Sequence, residues 1–547
     1  MMHATNGNII DAGDVLIIGA GLAGLFTALK LGARPVTVMA AGKRTKGAAS
    51  KWAQGGIAAA LGPEDSAAQH AQDTIDVGSG LVDETVAHFV AAEAAARIAD
   101  LENLGVGFDR DADGALKLGR EAAHSHNRII GVTGDRSGRA IMKALVKRAE
   151  ATPSLSFLEG YAAYELAVED GRVVGVFARP ADGSALTGPL LIRARAVIMA
   201  TGGIGHLYAV TTNPRGANGE ALAMAARAGA QIADAEFVQF HPTALTGPFT
   251  HGDDPAPLAT EALRGEGAQL VNAEGHRFMP DIDPRAELAP RDVVARAVFD
   301  EINRTGSVGL DLRPNGIAAN LATRFPTLAE QCRKNNIDPT VTPLPIAPAT
   351  HFHMGGIKTD HYGRTGLQGL WACGEVASTG LHGGNRLASN SLLEALVFGA
   401  RIAEDVNNII PLTMTAKPAQ PATLPATDKA LLAPAVQTLR RLMSRHVGVQ
   451  READGLIYTL HELERLQRAA AGMAPFTNMV LVAQFVTMAA LLREESRGGH
   501  ARRDFPEKSD AAHSVLTLRS LNDAYDVLPP VDAGFAETAI HNKQQAK

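Results

Sequence analysis

The strongest constraint on the fold is a glycine-rich turn near the start of the 547-residue chain, in the stretch DVLIIGAGLAGLFTALKLG at residues 14–32. The apolar run before the glycines has the composition of a buried strand, and the segment after them predicts a helix that begins near Gly21. The run PVTVMA at residues 35–40 predicts a second short strand. Together these segments form a βαβ unit, in which the pattern GxGxxG indicates dinucleotide binding.

The three glycines of this pattern have different predicted roles. Gly19 makes the turn, Gly21 admits the pyrophosphate, and Gly24 packs the helix on the strand. The N-terminus of the helix then stabilises the phosphate charge.

The segment after the second strand bears on which dinucleotide is bound. In NAD sites an acidic residue usually ends this strand and holds the ribose, but the sequence has none near Ala40. This absence argues against an ordinary NAD site and favours FAD. Thr45 and Ser50 are candidate polar partners of the cofactor, and ordinary loop solvation is the alternative for both.

Similar strand and glycine patterns recur far along the chain. ARAVIMATGG at 194–203 and GLWACGE at 369–375 each predict a strand that ends in a turn, and SNSLLEALVFGARIAEDV at 389–406 predicts a helix capped by Ser or Asn. The recurrence indicates one nucleotide-binding domain, at 1–237 and 355–412, interrupted by an insertion at 238–354. A Pro/Ala/Thr-rich linker at 413–430 and a C-terminal domain of about three helices at 431–547 follow.

Composition limits the class of protein. The net charge of -6, with 46% hydrophobic and 20% charged residues, is typical of a soluble globular protein and argues against a nucleic-acid surface. Two distant cysteines, Cys332 and Cys373, form neither a disulfide framework nor an iron–sulfur set, which predicts a cytoplasmic location. The N-terminus lacks a signal-peptide pattern, and the longest apolar run, at 479–492, is interrupted by Gln484 and Thr487. That run is shorter than a bilayer requires, so we expect no direct membrane contact.

Four segments rich in Gly and Pro carry candidate site residues: EFVQFHPTAL, TEALRGEG, ATHFHMGGI and LHGGNRLASNSLLEAL. A single His or Arg in a loop is more often structural, but the set together suits a small anion, ideally a dicarboxylate. The set consists of His241, Thr260, His351 and Arg386; Glu261 and Arg264 lie in the same segment as Thr260, and His353 shares a strand face with His351. No His, Cys and carboxylate set has convincing metal-ligand spacing, so we predict no metal site; the weak candidate is the pair His124 and His126 in REAAHSHNRI.

Seven segments, in order between about residues 14 and 506, resemble the succinate dehydrogenase/fumarate reductase flavoprotein family, and most closely its L-aspartate oxidase branch. They are SKWAQGGIAAALG, QFHPTAL, TEALRGEGAQLVN, APRDVVARA, HFHMGGI, GEVASTGLHGGNRLASNSLLE and SRGGHARRDFP. The resemblance implies the fold class: an α/β FAD-binding Rossmann-like domain with an inserted α+β capping domain, which is mobile over the flavin, and a C-terminal helical bundle.

The resemblance also implies the residues of the site. Those expected to bind FAD are Gly19, Ala20, Gly21, Leu22, Ala23 and Gly24 at the pyrophosphate, Ala53, Gln54, Gly55 and Gly56 beside the isoalloxazine, and Glu220, Glu375, Ser391 and Leu392 elsewhere on the flavin. His241, Thr260, His351 and Arg386 match the dicarboxylate-binding groups, and Arg291 matches the arginine assigned to proton transfer. An arginine is a poor base at its normal pKa, so that role requires a special arrangement.

Two departures within the family distinguish its branches. Succinate dehydrogenases typically attach FAD through a histidine just before AQGGI, and GAASKWAQGGI contains none, which implies noncovalent FAD. Glu121 matches a glutamate of the aspartate oxidases where succinate and fumarate enzymes typically have glutamine. A carboxylate there would pair with the ammonium group of L-aspartate, and succinate would leave it unpaired.

The resemblance therefore implies oxidation of L-aspartate to iminoaspartate, with oxygen or fumarate as electron acceptor. In the family this product feeds quinolinate synthase in de novo NAD synthesis, which makes that enzyme an expected partner. Two alternatives remain: a soluble fumarate reductase or respiratory-complex flavoprotein, and a flavin-binding module for assembly or RNA modification. Glu121 and the missing histidine count against the first, and the dicarboxylate set counts against the second.

Overall fold

The computed structural model describes residues 9–44, 47–121, 123–132, 136–184, 189–250, 254–408, 429–470, 472–532 and 534–535. Thr45 and the expected linker as far as residue 428 lie outside these residues.

The described residues form twenty strands and fifteen α-helices. The strands are β1 (Ile9–Asp11), β2 (Val15–Ile18), β3 (Val36–Ala40), β4 (Ile57–Ala58), β5 (Leu118–Gly119), β6 (Ile129–Ile130), β7 (Leu155–Glu159), β8 (Tyr161–Glu169), β9 (Arg172–Pro180), β10 (Leu190–Arg193), β11 (Ala196–Met199), β12 (Ile232–Ala233), β13 (Val238–Leu245), β14 (Gln269–Asn272), β15 (Val308–Asp311), β16 (Leu344–His353), β17 (Gly356–Lys358), β18 (Leu370–Ala372), β19 (Ala377–Ser378) and β20 (Val515–Leu516). The helices are α1 (Leu22–Lys30), α2 (Ala67–Val77), α3 (Glu84–Asn103), α4 (Ser137–Glu150), α5 (Glu220–Arg227), α6 (Glu261–Gly265), α7 (Met279–Ile282), α8 (Arg291–Thr305), α9 (Leu321–Arg324), α10 (Pro326–Lys334), α11 (Asn390–Asn407), α12 (Lys429–His446), α13 (Ala453–Ala469), α14 (Ala474–Leu492) and α15 (Leu518–Asp526).

The nucleotide-binding part is built on a parallel sheet of order β18-β11-β2-β3-β7. Its inner strands are fully buried, as expected for a parallel sheet that is covered on both faces. The predicted βαβ unit is present as β2, α1 and β3, and α1 packs against α11 from the far end of the domain. The sheet thus unites segments that lie more than 300 residues apart.

The segment between β13 and β16 folds around an antiparallel sheet of order β13-β16-β15-β14. The helix α8 packs on β13 and β16, and a cluster of buried apolar side chains lies within this segment, separate from the two larger clusters of the molecule. Strands and helices are mixed here, as the α+β prediction requires. Both ends of the segment return to the nucleotide-binding part through β13 and β16.

The C-terminal part contains the three predicted helices, α12 to α14, together with the short α15. Our estimate that the apolar run is too short to span a membrane is wrong in length, because α14 begins at Ala474 and has 19 residues. The proline at position 475 lies in the first turn, where a missing N–H is tolerated. Among the described residues α14 is the one helix long and apolar enough to cross a bilayer, but 78% of its most apolar window is buried inside the protein against neighbours such as α5 and α13.

Candidate active site

A cavity of about 1250 Å³ lies between the parallel sheet and the 238–354 segment. Its lining includes nearly every site residue expected from the sequence. These are Gly19, Ala20, Gly21, Leu22, Ala23, Ser50, Ala53, Gln54, Gly55, Gly56, Glu121, Glu220, His241, Thr260, Glu261, Arg291, His351, Glu375, Arg386, Ser391 and Leu392. Segments distributed over more than 370 residues therefore converge on one cavity.

Two expected residues, Gly24 and Arg264, are not part of this lining. A Cβ on Gly24 would lie 2.0 Å from the carbonyl oxygen of Gly19, so the position packs α1 against the turn. The GxGxxG pattern predicts this packing role for the third glycine. The family resemblance implies a direct pyrophosphate contact for Gly24 in addition. Arg264 lies behind the cavity wall and is fully buried.

The turn itself needs glycine for a backbone reason. Gly19 has a φ of +116°, and a Cβ there would lie 2.1 Å from the carbonyl oxygen of Ala200 on the neighbouring strand. At the start of α1 the amide of Leu22 donates to Ser50 Oγ at 3.2 Å. Ser50 therefore reaches the helix N-terminus, where a bound phosphate would also lie.

The chemistry of the lining fits a flavin dinucleotide. Backbone amides of the turn and a helix N-terminus face the cavity at one end, and β3 ends at Ala40 with no acidic residue. Gln54 Oε1 is buried with no hydrogen-bond partner among the described residues, which leaves an acceptor for a ligand donor. A cavity of this size accommodates FAD and a small substrate together.

Two half-buried carboxyls, Glu375 and Glu220, line the cavity and belong to the residues expected to bind FAD. Burial raises the pKa of Glu375 to about 7, although the amide of His353 donates to its Oε1 at 3.0 Å. Burial also raises the pKa of Glu220, whose Oε1 accepts from Asn218 Nδ2 at 2.8 Å. Both carboxyls are easier to protonate than exposed ones and are suited to hydrogen bonding with hydroxyl groups.

Two arginines face the substrate side and are joined by an amide. Gln239 Oε1 accepts from Arg386 at 3.0 Å and from Arg291 at 3.4 Å. The Arg386 guanidinium also stacks 4.6 Å from the centre of the Phe352 ring and donates to Ser391 Oγ at 3.1 Å. Burial and the nearby Arg291 lower the pKa of Arg386 to about 9, and its Nε has no hydrogen-bond partner among the described residues.

Arg291 lies at the start of α8 and has a strong ion pair. Its Nε donates to Glu261 Oε2 at 2.6 Å. Burial alone would lower the pKa of Arg291, but Glu261 and Glu121 raise it above the ordinary value. Burial would raise the pKa of Glu261, but Arg291 and Arg264 hold it below its ordinary value. Arg291, Glu261 and Arg264 therefore form a series of cation, carboxylate and cation.

Two histidines form a further edge of the site. The rings of His241 and His351 meet edge to face with centres 5.3 Å apart. Burial, with the neighbouring arginines, lowers the pKa of both histidines well below the usual value, so both are neutral. The amide of Thr243 donates to His241 Nδ1 at 3.3 Å, which places the ring hydrogen on Nε2. Thr212 Oγ1 lies 2.9 Å from His351 Nδ1.

Thr260 adds an uncharged donor beside these groups. Its hydroxyl is buried and has no hydrogen-bond partner among the described residues. Buried polar atoms are rarely left without a partner, so this hydroxyl is available to a ligand. Thr260 stands at the N-terminus of α6 without capping the helix through its side chain.

Glu121 places a carboxylate near Arg291 and Arg386. Its Oε2 accepts from Ser389 Oγ at 2.7 Å. Burial raises the pKa of Glu121, and Arg291, Ser389 and Arg386 act in the opposite direction. A Cβ on Gly55 would lie 2.9 Å from Glu121 Oε1, so the missing side chain at Gly55 leaves room for this carboxylate.

The histidines near Glu121 contact a backbone carbonyl and a hydroxyl. His124 Nε2 lies 3.0 Å from the carbonyl oxygen of Ala388, and His126 Nδ1 lies 2.9 Å from Ser125 Oγ. Within the described ranges no cluster of three His, Cys, Asp or Glu side chains could hold a metal ion. Both cysteines are buried as free thiols.

Sequence reasoning missed three residues that organise the site: Gln239, Ser389 and Thr212. Gln239 and Ser389 lie within quoted segments, but an amide or hydroxyl in a loop carries no sequence signal of the group that it bonds. Thr212 lies in none of those segments. Ser389 holds the predicted N-cap position of α11, but its side chain does not bond the helix as a capping residue would.

Comparison with known proteins places this architecture in a class. Residues 14–392 match the family described as FAD binding domain, and 468–529 match the fumarate reductase flavoprotein C-term. The structure resembles the FrdA chain of Escherichia coli quinol fumarate reductase, with a TM-score of 0.79 and 28% identity over 93% of this chain and 95% of that one. It also resembles Mycobacterium smegmatis Sdh1, with a TM-score of 0.80 and 30% identity over 93% and 94%. The fold and cavity are thus those of an FAD-binding oxidoreductase of the fumarate reductase type.

Sequence relatives narrow the class further. An L-aspartate oxidase of Agrobacterium fabrum is 44% identical over 531 residues, which cover 96% of this chain and 98% of the relative. An L-aspartate oxidase of Caulobacter vibrioides is 48% identical over 500 residues, covering 90% and 93%. The chain belongs to the L-aspartate oxidase family.

Proposed function

We propose that the protein oxidises L-aspartate to iminoaspartate with noncovalently bound FAD. The observation that carries the proposal is the Glu121 carboxylate, which lines the same cavity as Arg291, Arg386, the neutral His241 and His351, and the Thr260 hydroxyl, which has no partner among the described residues. Such a set matches a substrate with two carboxylates and one ammonium group. Residues 46–56 contain no histidine, which supports noncovalent attachment.

The donors of the cavity would bind the two carboxylates of the substrate. His241, His351, Thr260 and Arg386 line one region, and the Arg386 cation and the Thr260 hydroxyl have hydrogen-bonding capacity to spare. Two substrate carboxylates bound there would raise the pKa of Arg386 again, because an opposite charge favours the ionised form. Glu121 would then hold the α-ammonium through Oε1, while Ser389 keeps Oε2 in place.

Arg291 would assist proton movement as a permanently charged group. Its pKa is raised by Glu261 and Glu121, so it acts as a hydrogen-bond donor toward the substrate and leaves proton exchange to Glu261 behind it. FAD, when bound, supplies the two-electron acceptor for the hydride that leaves Cα. Gly19 to Ala23, Ser50, Ala53 to Gly56, Glu220, Glu375, Ser391 and Leu392 would hold it.

The decisive experiment compares substrates for flavin reduction without oxygen. We expect the purified flavoprotein to bleach with L-aspartate, because only this substrate satisfies Glu121 as well as the dicarboxylate donors. Bleaching with succinate and not with L-aspartate would reject the proposal in favour of a dicarboxylate dehydrogenase.

Glu121→Gln tests the recognition of the amino group. Removing the charge should raise the KM for L-aspartate about 10- to 100-fold, since a charge-assisted hydrogen bond contributes about 1.5–3 kcal/mol. The kcat/KM for fumarate reduction by the reduced enzyme should change much less, because fumarate has no ammonium group. Equal losses with both substrates would exclude this role for Glu121.

Further parts of the proposal concern acceptors, partners and organisation. Fumarate carries the two carboxylates that the donors fit, which supports it as an acceptor. Oxygen is the second proposed acceptor, and quinolinate synthase is the proposed consumer of the unstable imine.

The buried free thiols support a cytoplasmic location. The separate sheet and apolar cluster of 238–354 support its assignment as a capping domain between 1–237 and 355–412, with 413–430 as a linker to 431–547.

A further inference from the structure

The residue that holds Glu121 lies in an unusual backbone conformation. Ser389 has a φ of +61° at the N-terminus of the 18-residue α11, and left-handed φ is uncommon for residues other than glycine. Its hydroxyl is directed to Glu121 Oε2 instead of to the amides of its own helix. The orientation of Glu121 therefore depends on whatever keeps this turn in place.

Two buried histidines contact the residues on either side of Ser389. His124 Nε2 lies 3.0 Å from the carbonyl oxygen of Ala388, and His70 Nε2 lies 2.8 Å from Asn390 Oδ1. Because Asn390 Nδ2 donates to Thr74 Oγ1 at 2.9 Å, the amide oxygen faces His70 as an acceptor. Both histidines are only 1% exposed and donate through Nε2.

His124 is also joined to Glu121 along the chain. The amide of His124 donates to the carbonyl oxygen of Glu121 at 3.3 Å, and Arg120 Nε donates to the carbonyl oxygen of His124 at 2.8 Å. Glu121, His124, Ala388 and Ser389 thus form a closed ring of contacts. One side of the ring is the Glu121–Ser389 hydrogen bond, and the other is the His124–Ala388 hydrogen bond.

The contacts of both histidines are those of neutral rings. Burial lowers the pKa of His70 to about 4 and also lowers that of His124, and the buried Arg128 guanidinium acts in the same direction. The Nδ1 atoms of both rings have no partner among the described residues, so each ring has one functional hydrogen bond. Replacing a ring by a nonpolar one of similar shape would remove that bond while leaving the volume filled.

We propose that His124, supported by His70, is a positioning residue for amine recognition, which holds the turn of Ser389 so that Glu121 meets the substrate ammonium. The inference rests on the proposed role of Glu121 and assigns a function to the first histidine of the His-x-His pair. His124 would act on the preference between L-aspartate and simple dicarboxylates, without touching either substrate.

The test uses the full-length flavoprotein with His124→Phe, and His126→Phe as the matched control. His126 belongs to the same pair but is half-buried and bonds Ser125, away from the turn. We expect His124→Phe to raise the KM for L-aspartate about tenfold while kcat/KM for fumarate stays within about twofold. His124→Gln, whose amide can donate to Ala388, should restore most of the loss, and His126→Phe should leave both values unchanged. Equal losses for both substrates in His124→Phe, or the same loss in His126→Phe, would overturn the proposal.

A double variant separates this inference from the proposed function. If His124 acts through Glu121, then His124→Phe should have no further effect on L-aspartate in the Glu121→Gln background, because interacting residues are non-additive. A selective effect of Glu121→Gln combined with additive losses in the double variant would reject the positioning role alone. An unselective effect of Glu121→Gln would reject the proposed function first. Flavin absorbance and the unfolding temperature of each variant verify that it is folded and loaded.

Discussion

A neutral amide sets the distance between the two arginines of the substrate site. Gln239 Oε1 accepts from both Arg291 and Arg386, while its Nε2 donates to Asn385 Oδ1 at 2.9 Å and to the Arg386 carbonyl oxygen at 3.0 Å. The side chain is 1% exposed, so its oxygen replaces water as the shared acceptor. Two like charges can therefore face one substrate without a competing carboxylate between them.

Gln239→Leu removes this acceptor with little change in volume. We expect kcat/KM for L-aspartate to fall about 10- to 100-fold, in line with the 1.5–3 kcal/mol of hydrogen bonds to charged groups. Steady-state kinetics provide the measurement. Gln450→Leu is the control, because this half-buried glutamine bonds Asp300, neither residue lines the cavity, and its loss should leave kcat/KM unchanged.

Glu375 makes the stability of the flavin-free protein depend on pH. Its pKa is about 7 in the folded state and near its ordinary value of 4.5 when unfolded. Between these values only the unfolded chain releases the proton, so the free energy of unfolding falls as pH rises through this window. Because part of the carboxyl faces cavity water, we expect a loss on the order of 1–2 kcal/mol.

The variant Glu375→Gln should remove this dependence. Thermal unfolding of the apoprotein should show a higher midpoint than wild type at pH 8 and a similar midpoint at pH 5. The opposite ranking, with the variant less stable at pH 8, would show that the carboxylate is stabilised in the folded state.

At the residue scale, the sequence predicted chemical types better than geometry. His241, Thr260 and Arg386 belong to motifs whose composition indicates an anion site, Arg291 was implied by the family resemblance, and all four line the cavity. The role of Ser389 could not be predicted, because its left-handed φ follows from contacts with His70 and His124, which are more than 260 residues away in the sequence. Side-chain partners across such separations are set by the assembled fold.

At the scale of elements, the junction of β2 and α1 depends on close backbone contact. A Cβ on Gly24 would lie 2.0 Å from the Gly19 carbonyl oxygen and 3.2 Å from Ile17 Cγ2, so any side chain must displace the helix. The displacement would move the amides at the helix N-terminus that face the cavity, although Gly24 itself does not line it.

We therefore expect Gly24→Ala to lose FAD on purification. The ratio of flavin absorbance at 450 nm to protein absorbance measures this loss, and it should fall at least about tenfold, because a shift of the helix weakens every phosphate contact at once. Gly107→Ala is the matched control, since a Cβ there meets no atom within 4 Å. Full flavin content in Gly24→Ala would contradict this account of the turn.

Elements with strong local patterns were predicted well, and those stabilised by tertiary contacts were not. The βαβ unit and α11 follow directly from glycine and apolar spacing. The helix α14 extends five residues before its predicted apolar run, because Ala474 to Asn478 are helical in contact with neighbouring helices. Short strands such as β12 and β20 carry no sequence signal and exist through their mutual pairing.

On the scale of the whole molecule, a buried ionic network joins the C-terminal part to the residues immediately before the 238–354 segment. Glu236 is fully buried; its Oε1 accepts from Arg493 Nε at 2.5 Å and its Oε2 accepts from Ser514 Oγ at 2.7 Å. Arg493 also bonds Glu495 at 2.7 Å and stacks 4.8 Å from the centre of the Phe237 ring. The SRGGHARRDFP motif, at 496–506, follows directly after these residues and extends the same interface.

Arg493→Met leaves Glu236 buried without its cation and should lower the free energy of unfolding by about 3–5 kcal/mol. Urea unfolding, followed by circular dichroism, measures the change. Arg468→Met removes an exposed ion pair with Glu464 and should cost at most about 1 kcal/mol. Similar losses in the two variants would show that burial of Glu236 does not govern this interface.

The order of the strands within the parallel sheet could not be predicted from the sequence, although the sequence does predict a division into domains. The recurrence of glycine-ended strands predicts one interrupted nucleotide-binding domain, but nothing local shows that β11 lies between β2 and β18. Strand order is decided by which apolar faces cover each other, and α1 reaches its main neighbour, α11, only across the assembled domain.

The late position of β18 and α11 in the chain has a consequence for biosynthesis. The segments that contain the proposed cofactor-binding residues Gly19, Gly55 and Glu220 leave the ribosome early. Glu375, Ser391 and Leu392 follow only after the whole 238–354 segment. A nascent chain that ends before residue 375 lacks all three of these proposed cofactor-binding residues, so we expect it not to retain flavin. We therefore expect cofactor loading to be a late step of maturation.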